Sequence, residues 1–237
     1  MRKFSIALII CIGLVCQLGA QSIGASFFDE ADSFFQTHVK AGKVDYSAAA
    51  GSSQLESLVK QVAKADLSKS SDAERKAFYI NAYNLLVISK VTKALPIKSV
   101  MDVADFFDNK DLAVAGQTVS LNYLEKQLLF KAYPDSRLHF VLVCGAVGCP
   151  PIIAEAYRPE TLDRQLLTQT KAAINDPTFI SGSGSSAELS QIFNWYSSDF
   201  GGSTSAVIAY INKYRDSNLS PKAKVSYSEY DWSLNSL

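Results

Sequence analysis

The chain predicts a single α+β domain, mostly helical with a small, mainly antiparallel sheet, over residues 21–237. Three observations lead there. Residues 71–94 carry a long helical pattern with a start signal and a proline stop. Short extended pieces recur between helical segments. Neither an internal repeat nor a composition break divides the chain.

Residues 1–20 read as a secretory signal peptide: a basic head (Arg2, Lys3), an apolar run from 4 to 18, then Gly19-Ala20. Cleavage after Ala20 is preferred, with Ala25 second. The run is short for a membrane span. A lipid anchor on Cys11 or Cys16 lacks the small residue expected before the cysteine, and an uncut N-terminal anchor is the other alternative. The expected location is therefore periplasmic or secreted, with no stable membrane insertion after cleavage. Removing the leader takes two of the four cysteines and two of the 23 basic residues, leaving 21 basic against 23 acidic and a formal charge of −2. Such a balance offers no footprint for nucleic acid and no polybasic patch for anionic lipid. Two remaining cysteines exclude a fold that depends on a disulfide framework.

The elements follow in order. Residues 22–39 read as a helix with Phe27, Phe28, Phe34 and Phe35, ended by Gly42; Val44-Asp45-Tyr46 is a short extended piece. Residues 54–65 carry Leu55, Leu58 and Val62 at helical spacing. Ser71 and Glu74 have capping-box spacing, and the helix they open runs to about Ala94 before Pro96. It is apolar nearly all round and therefore buried. Its Asn81 and Asn84 lie on one face and must find partners. They either pin the helix to neighbouring backbone or point into a cleft as substrate-binding groups, with Tyr83. Residues 114–119 suggest a hairpin around Gly116. Ser120 caps a helix to Phe130 with Glu125 at the edge of its apolar stripe. Residues 137–144 read as a buried strand, 161–174 as an amphipathic helix, 181–186 as a flexible Ser/Gly loop, 206–214 as the last helix and 225–227 as an edge strand.

The chemistry concentrates in 138–151. This segment holds both cysteines of the mature chain, Cys144 and Cys149, and His139, one of two histidines. A thiol nucleophile needs a neighbouring base or positive charge, commonly a histidine oriented by a carboxylate. On an extended strand His139 and Cys144 would lie roughly 16 Å apart on opposite faces. Cys149 is brought back toward His139 if the chain reverses at 144–148. The catalytic set is therefore Cys149 or Cys144 with His139, and Glu125 to orient the ring; His38 could meet Cys144 only through the fold. Against this stands a Cys144–Cys149 disulfide, or inert buried thiols. Spacing is wrong for Cys-x-x-Cys redox motifs, for zinc, for a phosphate loop and for a serine nucleophile elbow. No motif calls for a cofactor. Tyr79, Tyr83, Trp195, Tyr196, Tyr230 and Trp232 either line a sugar- or peptide-binding cleft or fill the core.

Several of these segments resemble the domain-of-unknown-function 547 family: Ala77-Phe78-Tyr79-Ile80-Asn81-Ala82-Tyr83-Asn84; Leu124-Glu125, with Lys126 where the family usually has His; His139-Phe140 through Cys144-Gly145 to Cys149-Pro150-Pro151; Ile192-Phe193-Asn194-Trp195-Tyr196 with Asp199-Phe200; and Tyr230-Asp231-Trp232-Ser233-Leu234-Asn235. The resemblance runs from about Val44 to the C-terminus. It implies a thiol-hydrolase-like arrangement of Glu, His and Cys, from which the substitution at 126 removes one imidazole. The resulting expectation is a thiol-dependent hydrolase- or transferase-like enzyme acting on a peptide or small thiol substrate. The alternative is a non-catalytic binding module with the two cysteines joined; no pattern specifies an oligomeric state.

Overall fold

The computed structural model describes residues 21–237, so the expected signal peptide, with Cys11 and Cys16, lies outside the described residues. In chain order, β1 (Gln21–Ser22) leads into α1 (Ala25–His38), the hairpin β2 (Val39–Lys40) and β3 (Lys43–Val44), α2 (Tyr46–Ala49), α3 (Ser53–Lys64), β4 (Ala65–Asp66) and α4 (Asp72–Ala94). The hairpin β5 (Leu112–Val114) and β6 (Gln117–Val119) precedes α5 (Leu121–Tyr123), which continues as a π-helix over Leu124–Phe130. Then come a 3-10 turn at Ser136–Phe140, α6 (Leu162–Asn175), β7 (Ile180–Leu189), α7 (Ile192–Trp195), another 3-10 turn at Ser197–Phe200, α8 (Thr204–Asn212) and β8 (Leu219–Tyr227). The single-domain α+β class is borne out. Its strands form four two-stranded pieces, β2–β3 and β5–β6 antiparallel, β1–β4 and β7–β8 parallel.

Helix α4 is the axle. Ser71 accepts from the Glu74 amide while the Glu74 carboxylate accepts from the Ser71 amide, at 3.3 and 2.7 Å, closing the capping box. From Ala77 to Val91 nearly every side chain is buried. With no solvent face, its polar groups are satisfied by neighbouring chain. Asn81 donates to the Tyr157 carbonyl at 2.7 Å and accepts from the Tyr157 amide at 2.9 Å. Asn84 donates to the Val141 carbonyl and accepts from the Val143 amide, both at 2.9 Å. These two amides do what a strand ladder would otherwise do for the segments they hold.

That is why the strand expected at 137–144 does not form. The chain there is a 3-10 turn, capped by Asp135 accepting from Arg137 N–H at 3.0 Å, followed by irregular backbone clamped by Asn84. Lys76 of α4 reaches Asp135 at 2.6 Å. Burial pushes the Asp135 carboxyl up, but bonds from Arg137 and Lys76 and the Lys76 charge outweigh it and hold it down at about 2. The turn is thus tied to α4 at both ends.

The Ser/Gly segment at 181–186 is likewise not a loop. It belongs to β7, whose residues pair in parallel with β8 from Gly184↔Leu219 to Leu189↔Tyr227. Backbone pairing, which needs no apolar side chains, overrides its composition. The α8 crossover supplies the long connection that a parallel pair requires. The predicted edge strand at 225–227 is the end of β8.

Two groups of buried apolar side chains result. One surrounds α1, α3 and α4; the other gathers α8, β7, Phe179, Phe193 and Phe200. The 138–143 segment lies on the seam, with Leu138 and Val141 in the first group and Phe140 in the second. The C-terminal tail then crosses the seam. Amides of Val147 and Gly148 donate to the Ser233 and Asp231 carbonyls, and Asn235 N–H donates to the Gly145 carbonyl.

Replacing Asn84 with Leu keeps the bulk and strands a buried carbonyl and a buried amide. The expected loss is about 2–4 kcal/mol of unfolding free energy, read from urea denaturation. A loss within error of zero would show that the clamp does not hold the segment.

Candidate functional site

A cavity of about 420 Å³ opens on the seam, within the usual range for small-molecule sites. Helix α4 contributes Tyr83, and the α5/π-helix contributes Asn122 and Glu125. The 3-10 turn contributes His139, and the irregular chain after it contributes Leu142, Cys144, Cys149 and Pro150. The α7 region contributes Ile192, Trp195 and Tyr196; the tail adds Tyr230 and Trp232; Phe107 and Asp108 complete the rim.

The structure therefore gathers Cys144, Cys149, His139 and Glu125 around one space, with Tyr83 and Trp195. It does not bring Asn81 or Asn84 there. Both are expected as substrate-binding groups, but both amides are consumed by backbone, the pinning alternative. His38 is also elsewhere, its ring tilted against Phe34 at 4.6 Å between centroids, with its Nδ1 unpaired. Burial lowers its pKa more than Asp45 raises it.

Cys144 and Cys149 are joined as a disulfide. The chain reverses between them through Gly145, whose φ is +87°, a backbone state that favours glycine. Cys149 N–H closes the turn on the Ala146 carbonyl at 3.2 Å. Gly148 has a different constraint: a Cβ there would meet the Tyr230 ring at 2.9 Å. That missing methyl lets the tail lay its aromatic side chains beside the sulfurs. The Tyr230 hydroxyl lies 3.1 Å from Cys149 Sγ and 3.2 Å from Cys144 Sγ. The Cys144 backbone N–H points at Cys149 Sγ from 3.0 Å.

His139 is oriented by Asp199, not by Glu125. Its Nε2 lies 2.8 Å from the Asp199 carboxylate, while its ring sits between Phe130 and Tyr196 with centroids 4.3 and 4.2 Å away. Burial lowers the imidazole pKa more than Asp199 raises it. The ring is thus neutral, with Nε2–H donating to Asp199 and Nδ1 carrying the basic lone pair. The sequence does not mark Asp199 as a ring partner, although the residue stands in the family-like motif after Trp195-Tyr196. Its separation of 60 residues from His139 carries no spacing signal.

Glu125 has a different set of neighbours. Tyr196 Oη is 3.4 Å from Oε1, and Tyr83 also stands beside the carboxyl. Burial pushes its pKa up, and the Lys126 charge and the two tyrosines recover only part of this. Tyr83, Tyr196 and Tyr230 are all pushed above the ordinary phenol range, chiefly by burial. Among the described residues lining the cavity there is no Lys or Arg. The site is aromatic and contains no Lys or Arg to steady an anion. The described residues also contain no cluster of three or more His, Cys, Asp or Glu placed to hold a metal.

The pH response follows from Glu125. Its folded value is raised, so above the ordinary 4.5 the native chain holds a proton that the unfolded chain has released. Stability therefore falls as pH rises from 4.5 through the raised value. Glu125→Gln, which mimics the protonated form, removes that loss. The gap between variant and wild-type urea midpoints is expected to widen in the variant's favour from pH 4 to pH 9. A gap independent of pH would mean the carboxyl is not held neutral.

No curated protein and no solved structure matches the chain. Residues 67–173 match the model of the family described as "Protein of unknown function, DUF547", which bears out the family read from the motifs over the stretch supplying Tyr83, Glu125, His139 and both cysteines to the cavity.

Proposed function

We propose that this protein binds a small organic molecule, uncharged or cationic, in the aromatic cavity on the seam. The observation that carries this is the lining itself. Trp195, Tyr230 and Trp232 form a mutually packed aromatic wall, with centroids 4.8, 4.7 and 6.1 Å apart. Trp195 is 49% exposed, an unusual placement for a residue whose only task is to fill a core. The lining also holds carboxyl groups, phenols and the His139 imidazole, with no Lys or Arg. Ring faces attract organic cations and pack against the apolar face of a sugar, whereas an anion would find nothing to neutralise it. The joined sulfurs support this binding reading, since a disulfide has no thiolate to attack with. The basic, apolar head of the chain supports export.

A second reading has its own support. Four residues expected to make a thiol site, from two separate segments, border the same cavity. In a reduced chain, Cys149 or Cys144 as nucleophile and His139 Nδ1 as base would make a thiol-dependent hydrolase- or transferase-like enzyme acting on peptides or small thiols. Rapid alkylation of the reduced protein by iodoacetamide at pH 6, slowed by His139→Ala, is the expected sign of that dyad. Equal rates in both proteins would exclude it.

The binding reading has a built-in reporter, because the chain's two tryptophans both line the cavity. Titration with choline or methyl β-glucoside is expected to change tryptophan fluorescence saturably, and benzoate to leave it unchanged. Trp195→Ala should weaken the response about tenfold, with Trp232 still reporting. Benzoate binding as tightly as the others, or no saturable change with either of the first two, would sink the proposal.

A further inference from the structure

The surroundings of the disulfide are asymmetric. Cys149 is buried at 8% exposure, while Cys144 is half-buried; both border the cavity. Two hydrogen-bond donors converge on the buried sulfur: the Cys144 backbone N–H at 3.0 Å and the Tyr230 hydroxyl at 3.1 Å. A disulfide sulfur is a weak acceptor and gains little from two donors. A thiolate gains far more, because a bond to a charged acceptor is roughly twice as strong as one between neutral groups. The donors are therefore placed for a charge that Cys149 carries only after the bond is broken.

We propose that the Cys144–Cys149 disulfide is exchange-active: a small thiol entering the cavity attacks Cys144, and Cys149 leaves as a thiolate held by the Cys144 amide and Tyr230. The incoming thiolate sulfur forms a new bond to Cys144 Sγ. The Cys144–Cys149 bond breaks, and its electron pair stays on Cys149 Sγ. The incoming sulfur is oxidised and Cys149 is reduced. A second thiol of the same class then attacks the incoming sulfur in the mixed disulfide, releasing Cys144 as a thiolate and a low-molecular-weight disulfide. Two thiols become one disulfide, the protein becomes a dithiol, and the two protons pass to solvent or to the new protein thiols.

The direction of attack follows from access and from the leaving group. Exchange is faster when the departing sulfur is the better-stabilised thiolate. Attack on Cys149 would instead require reaching a buried atom and expelling Cys144, which lacks the backbone donor. Tyr230 suits its role because its phenol is pushed above the ordinary range by burial, then by Tyr196 and Glu125; it stays protonated and remains a donor. The Gly148 contact that admits the Tyr230 ring gains a purpose beyond packing. None of this depends on what else the cavity binds.

The test uses the full native chain and 2-mercaptoethanol at pH 7.5, quenched with N-ethylmaleimide. Peptide fragmentation should place the mercaptoethanol adduct on Cys144 and the maleimide on Cys149. In the reduced wild type, the pH dependence of Cys149 alkylation should give a pKa below the free value of roughly 8.5. Tyr230→Phe should raise that pKa and slow exchange roughly three- to tenfold. Reduction that occurs only when urea unfolds the protein, an adduct on Cys149, or a Cys149 pKa at or above the free value would each overturn the proposal. These three outcomes need no variant, so they decide even if Tyr230→Phe does not fold.

Discussion

Asn84 grips one carbonyl and one amide, those of Val141 and Val143, and the rest of the site depends on that grip. It lets a non-strand segment lie in the core without orphaned backbone, whose burial would otherwise be costly. The segment can then deliver His139 on one side and Cys144 on the other to a common space. Asn81 does the same for Tyr157, farther along the chain. Both amides project from the buried helix α4. A long helix buried over most of its length thus organises an irregular stretch of chain.

The chemistry of the cavity follows from burial without compensation. No Lys or Arg lines the cavity, and burial raises the pKa of Glu125 and of the tyrosines and lowers that of His139 despite Asp199. Hydrogen bonds among these groups fix their orientation at little electrostatic cost. The disulfide belongs to the same pattern: the donors around it are dipoles and a phenol rather than cations. A ligand bringing positive charge, or a reaction generating negative charge on Cys149, would each meet a site prepared for it.

The sequence made local features legible. The Ser71–Glu74 box, the hairpin at Gly116, the Ser120 cap and the burial of α4 all follow from spacing between near neighbours, and all appear in the structure. The dilemma posed by Asn81 and Asn84 was visible too, since buried amides need partners. Its resolution was not, because the partners lie 57 to 76 residues away. The apolar run at 138–143 read as a strand since hydrophobicity alone does not distinguish a ladder from a clamp. The Ser/Gly segment read as a loop since its composition hides backbone pairing with β8.

By itself, then, the sequence determined the helices, their caps, the fold class, and the short list of groups capable of chemistry, all set by residues within a few positions of one another. Tertiary structure alone decided that the sulfurs, His139 and Glu125 border one cavity, that Asp199 rather than Glu125 orients His139, and that the tail carries Tyr230 and Trp232 across the seam. Those choices rest on contacts between distant residues and on the absence of any cation among them. Such properties belong to an enclosed space, and no local pattern of side chains encodes them.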